Sequence, residues 1–154
     1  MYKKILIPLD GSEVAECALS HVKNLVKDGS GKEIIILKVF WADDPYIGGW
    51  RDPSLTDNIN ELKEKLILNS KKYLADVQSR LAAEGLQVKT EILNNDRTAD
   101  TIAEYARKNG IDLIVIATHG YTGLKKMMLG SVALEVLHDA TMPVLLIRPE
   151  SCRT

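Results

Sequence analysis

The residues of this chain best suited to chemistry fall in two short stretches. One runs Ala117-Thr118-His119-Gly120, continues for nine residues and reaches Gly130-Ser131, directly after the apolar run 112–117. A buried strand that empties into a glycine loop and then a helix gathers unpaired backbone N–H groups at one spot, and such groups hold phosphate oxygens. Gly120 is free to take positive φ or to let a ligand approach the backbone, and the Ser131 hydroxyl stands beside the amides of the helix start. The other stretch, Ile7-Pro8-Leu9-Asp10-Gly11-Ser12, puts a carboxylate acceptor at the end of a strand with a helix N-terminus behind it. Each piece also has a plainer reading. Asp10-Gly11-Ser12 suits a strand-to-helix turn with its cap, Gly120 and Gly123 suit ordinary turn geometry, and Ser131 suits an N-cap. The chemical reading gains from all of them falling at one edge of one sheet.

That edge must be built by the elements around it. Five β-branched apolar runs recur, at 4–9, 33–40, 88–93, 112–117 and 143–148, and the segments between them have helical spacing. Ser12 is an N-cap candidate for a first helix with Val14, Ala15, Ala18, Leu19, Val22, Leu25 and Val26 on one stripe and Gly29 near its end. Ile59, Leu62, Leu66, Tyr73, Val77 and Leu81 mark a long second helix that stops at Gly85. Thr98 is a cap candidate for the third, and Ser131 opens the fourth. Strict alternation of strand and helix predicts parallel pairing, because parallel strands need crossovers of this length. The expected fold class is α/β: a doubly wound, Rossmann-like, five-stranded parallel sheet with helices on both faces. Residues 41–58, rich in Asp, Pro and Gly, read as one long surface loop whose tryptophans anchor it or cover a ligand or partner.

Composition sets the outer limits. The 154 residues, 45% of them hydrophobic, suffice for one well-buried core and fall short of two ordinary domains, so 1–154 reads as one domain. Twenty basic against twenty-one acidic side chains leave no broad positive field for nucleic acid or an anionic membrane. The apolar stretches are far too short to span a bilayer and the N-terminus lacks the apolar core of a signal peptide, which points to the cytoplasm. Cys17 and Cys152 form neither a disulfide framework nor a metal-ligand spacing, and read as filler and a free thiol. Gly29-Ser30-Gly31-Lys32 is no phosphate loop, because Glu33 stands where Ser or Thr is needed and Val26 where the leading glycine belongs. His21 and His138 fall on helices and His119 in the glycine loop, without a metal-binding pattern.

Three segments together resemble the universal stress protein family: Ile5-Leu6-Ile7-Pro8-Leu9-Asp10-Gly11-Ser12, the run from Asp112 to Leu124, and Leu129-Gly130-Ser131-Val132-Ala133 followed by Pro143-Val144-Leu145-Leu146-Ile147. The likeness covers almost the whole chain. Its signature is Gly, two residues, Gly, nine residues, Gly and Ser or Thr, as in the ATP-binding branch. The resemblance implies strand order 3-2-1-4-5 and an adenine nucleotide between the carboxyl ends of the first and fourth strands. Pro8 and the Asp10 backbone would flank the base, and the Asp10 carboxylate would accept from a ribose hydroxyl. Val39 would offer backbone groups to the adenine edge, and Ile116 and Ala117 would line base and sugar. Gly120, Gly130, Ser131 and Val132 would cradle the phosphates, with Ala133 close by. ATP is the expected cofactor, with Mg²⁺ or Mn²⁺ held by its phosphates and water, since no protein cage of three ligands is visible. A homodimer through the C-terminal edge strand and an unidentified protein partner are the expected associations.

This chain departs from the family pattern in two places. Ala117 replaces the first signature glycine, a change that costs about 1 kcal/mol or more of strain if the position demands φ > 0. Asp96-Arg97-Thr98-Ala99 replaces Gly-x-Pro-Ala before the third helix. Hydrolysis would need a water-positioning group and a cation at the γ-phosphate. Lys125, Lys126, Asp43 and Asp44 are within reach along the chain, but none has a spacing that fixes such a role. A nucleotide-responsive switch with at most slow turnover is therefore expected, and no catalytic or metal-ligating residue is assigned. Two rival readings are a nucleotide-free dimer and an adenine-nucleotide hydrolase, the latter opposed by Pro8-Leu9-Asp10-Gly11-Ser12 where a Ser-Gly-Gly-x-Asp-Ser loop would stand.

Overall fold

The computed structural model describes residues 1–41, 56–118 and 130–148, with the backbone alone for 56–59. In chain order the elements are β1 (Lys4–Pro8), α1 (Glu13–Lys27), β2 (Glu33–Phe40), α2 (Thr56–Ala83), β3 (Lys89–Asn94), α3 (Thr98–Lys108), β4 (Leu113–Ala117), α4 (Ser131–Asp139) and β5 (Val144–Ile147). The strands form one sheet in the order β3-β2-β1-β4-β5, and every pair is parallel. Both the doubly wound α/β class and the 3-2-1-4-5 order expected from the sequence are present.

The apolar runs explain why the sheet is central. Ile5, Leu6 and Ile7 of β1 and Ile114 and Val115 of β4 are buried on both faces, as strands covered by helices on either side must be. Alternate residues serve different layers. Ile5, Ile7, Ile34, Ile36 and Val115 pack with Ala18, Leu19 and Val22 of α1 and Leu74, Val77 and Leu81 of α2. Leu6, Ile35, Leu37, Ile114 and Ile116 pack with Ala99, Ile102 and Ala106 of α3 and Ala133 and Val136 of α4. Helices α1 and α4 thus follow the adjacent strands β1 and β4 onto opposite faces, which opens a crevice between the strands' carboxyl ends.

Several boundaries differ from expectation. The chain is helical from Thr56, so the last part of 41–58 is not loop. The remainder of that stretch, residues 42–55, lies outside the described residues. Thr98 is not a cap: Arg97 occupies that position, and its N–H donates to Asn95 Oδ1 at 2.9 Å. Cys17 is disulfide-bonded rather than simple filler, and Cys152 lies outside the described residues. Residues 29–32 form the helix-to-strand turn expected of them, with the Gly29 N–H on the Val26 carbonyl and the Gly31 N–H on the Tyr2 carbonyl. Among the described residues, no helix is long and apolar enough to cross a membrane.

Candidate functional site

The crevice between β1 and β4 holds a cavity of about 260 Å³. Nine of the ten residues singled out from the sequence line it: Pro8, Asp10, Val39, Ile116, Ala117, Gly130, Ser131, Val132 and Ala133. The tenth, Gly120, lies outside the described residues, as do Gly123, His119, Asp43, Asp44, Lys125 and Lys126. The walls also include Leu9, Ala15, Leu37, Thr98, Ile102 and Thr118, which read in the sequence as core, cap or turn residues. Strand parity is the signal that would have found Leu37, since it lies two positions before Val39 on the same face.

Asp10 sits in a tightly tied turn. Its Oδ1 accepts from the Ser12 N–H at 2.8 Å and from the Ser12 hydroxyl at 2.6 Å. Ser12 in turn caps α1, its Oγ accepting from the Ala15 N–H at 3.1 Å. The turn therefore does satisfy the plain reading, yet it engages only one carboxylate oxygen. Among the described residues Oδ2 carries no hydrogen bond, which leaves it open toward a ligand hydroxyl. Gly11 takes φ +97°, a conformation in which L-residues are strained, and this lets the chain double back from β1 into α1.

On the other wall, Ala117 is the last residue of β4, in register with Ile147 of β5. A strand position has negative φ, so the methyl that replaces the signature glycine brings no backbone strain there. Gly130, not Ser131, is the N-cap of α4, with φ −58° and ψ 145° and no side chain to cap the helix. Its N–H donates to the Thr118 carbonyl, which ties the start of α4 to the end of β4. Since Ser131 is the first helical residue, its hydroxyl is not used as the cap. The first amides of α4 and the positive end of its dipole border the crevice, opposite Asp10.

Behind Asp10, on the α1 and α2 side, lies a small polar cluster. The Tyr73 hydroxyl donates to Glu16 Oε1 at 2.9 Å, and Glu16 Oε2 accepts from Arg80 at 2.9 Å. Burial, reinforced by Glu16, raises the Tyr73 pKa well above the ordinary 10.0. A phenol whose folded pKa is raised stabilises the fold fully below its unfolded value, and that contribution fades as pH climbs beyond 10. Tyr73→Phe is expected to remove one late-ionising phenol from an absorbance titration at alkaline pH and to flatten the fall in Tm above pH 10. A late phase of undiminished amplitude after the substitution would contradict this assignment.

A parallel α/β sheet with a crevice at its switch point, flanked by an acid on one side and a helix start on the other, defines the doubly wound proteins that take ligands beyond their strand ends. The universal stress protein family model matches residues 1–148, and the chain belongs to that family. It is 35% identical over 159 residues to universal stress protein MJ0577 of Methanocaldococcus jannaschii, covering 96% of each chain. It is 30% identical to universal stress protein YxiE of Bacillus subtilis, covering 96% of this chain and 100% of that one. The solved structure of MJ0577 superposes with TM-score 0.79 at 36% identity over 96% of each chain. That of UspA from Lactobacillus plantarum superposes with TM-score 0.75 at 26% identity, covering 96% of this chain and 98% of that one.

Proposed function

We propose that the protein is a cytoplasmic, single-domain, ATP-binding universal stress protein that works as a nucleotide-responsive regulatory switch. The observation that carries this reading is the crevice itself. An acceptor on the β1 side faces the amides of α4 across a cavity whose floor is apolar. A purine needs apolar walls, a ribose needs an acceptor, and phosphates need backbone donors.

In this reading Pro8, Val39, Ile116 and Ala117 enclose base and sugar, and Asp10 Oδ2 accepts from a ribose hydroxyl. The N–H groups at Gly130, Ser131 and Val132, with the Ser131 hydroxyl and Gly120, hold the phosphates beside Ala133. Among the described residues no group of His, Cys, Asp or Glu could hold a metal ion. A Mg²⁺ or Mn²⁺ ion would then ride on the phosphates and water. Nucleotide occupancy would change the surface offered to a protein partner.

The test is a pair of melting curves with and without ATP and Mg²⁺. A ligand that binds only the folded state at a hundred times its Kd adds about 2.7 kcal/mol, which raises Tm by about 5–11 °C for a chain of this size. Identical curves would reject the nucleotide reading and favour a nucleotide-free interaction protein.

The same reading includes a homodimer through β5. This strand is an edge of the sheet, and Leu134 and Leu137 of α4 and Leu145 of β5 are exposed. An uncovered apolar edge invites pairing with a second copy. Light scattering at micromolar concentration is expected to return twice the monomer mass. A monomer mass would remove the dimer.

A further inference from the structure

Lys38 is the one charged residue in the otherwise apolar stretch Ile34–Phe40 of β2. Its neighbours Leu37 and Val39 line the crevice. Lys38 is half-buried against the cluster behind Asp10, and burial pushes its pKa down, with the Asp10 charge acting in the opposite direction. A desolvated ammonium is costly unless it is engaged, and two contacts engage this one. The Nζ donates to the Asp10 main-chain carbonyl at 2.8 Å. It lies 5.7 Å from the centre of the Tyr73 ring, within cation–π range. It also stands 3.5 Å from where a Cβ at Gly11 would be. Tyr73 is itself fixed to Glu16, and Glu16 to Arg80.

The Asp10 turn is therefore held twice. Ser12 ties the side chain through Oδ1, and Lys38 grips the main chain from behind the sheet. We propose that Lys38 is a positioning residue for the nucleotide site: its hold on the Asp10 carbonyl, braced by Tyr73 of α2, sets where the Asp10 carboxylate meets the ribose. This rests on the ATP reading above. It makes α2, through Tyr73, part of the apparatus that decides ribose affinity, although none of its described side chains lines the crevice.

A merely structural or electrostatic lysine would affect every nucleotide alike, whereas one that positions the Asp10 carboxylate costs most when a ribose hydroxyl is present. The experiment is calorimetric titration of wild type, K38M and Y73L with ATP and with 2′,3′-dideoxy-ATP, both with Mg²⁺. Lys38→Met is expected to weaken ATP about tenfold, within the range of coupled neighbours, and to change 2′,3′-dideoxy-ATP by less than about twofold. Tyr73→Leu, which removes the brace and leaves the ammonium, is expected to show the same selectivity at about threefold, and it decides the matter if K38M does not fold. Equal losses for both nucleotides, or no loss for ATP, would overturn the proposal. Wild-type protein that binds neither nucleotide would defeat the ATP reading, and this proposal with it. Binding of both with no discrimination between them in any variant would overturn the role of Lys38 alone.

Discussion

Gly130→Val is expected to weaken ATP binding about tenfold to a hundredfold while leaving the fold close to its original stability. Gly130 has φ −58° and ψ 145°, an extended conformation open to any L-residue, so the substitution adds no strain of the kind a positive φ would bring. Gly130 forms part of the crevice wall, and in the proposed site it stands where the amides of α4 would meet the phosphates. A branched side chain placed there crowds the phosphates, and overpacking of this kind costs about 1–3 kcal/mol. Calorimetry on a variant whose melting curve is unchanged reads the effect directly. ATP affinity within twofold of wild type would mean that the phosphates do not lie against the start of α4.

Asp10→Ala is expected to act on both affinity and stability. Loss of a charged acceptor to a ribose hydroxyl is worth about 1.5–3 kcal/mol, or about tenfold to a hundredfold in Kd. The same carboxylate holds the Ser12 N–H and hydroxyl, so removing it also loosens the turn that leads into α1, at about 1 kcal/mol by analogy with a lost cap. Asp10→Asn separates the two effects. Its amide oxygen can still accept from Ser12, but it cannot supply a second accepting oxygen. The asparagine variant is expected to recover most of the Tm while leaving ATP affinity reduced. Full recovery of affinity in Asp10→Asn would show that Oδ2 is not the ribose acceptor.

The parts of the site that were legible in the sequence are those with strong local chemistry. The run of apolar residues 113–117 must be a buried strand, and a glycine-serine pair at a fixed distance beyond it must open a helix. Together with Asp10 at the end of β1, this located the crevice before any coordinates. What the sequence concealed has particular physical causes. Ser131 reads as an N-cap because serine favours that position, yet Gly130 takes it, because the Gly130 N–H is bound to the Thr118 carbonyl and the helix begins one residue later. Thr98 reads as a cap for the same reason, yet Arg97 takes its place. Leu37 and Ile102 look like core residues because they are core residues; only their position near the strand ends makes them wall. The doubt over Ala117 could not be resolved from sequence, since a glycine in a motif does not reveal whether it is needed for its φ or for its size. Its place in β4 points to size. Lys38 carried a signal that was overlooked, a lone charge within an apolar strand.

The central claim is that main-chain donors at the start of α4 and the Asp10 acceptor enclose an adenine nucleotide. Mass spectrometry of the small molecules released on denaturing freshly purified protein tests it most directly. The account predicts ATP, or its breakdown products, in an amount approaching one per chain from wild type and a sharply reduced amount from Gly130→Val. Wild-type protein that releases no nucleotide, and takes none up when ATP and Mg²⁺ are supplied, would contradict it.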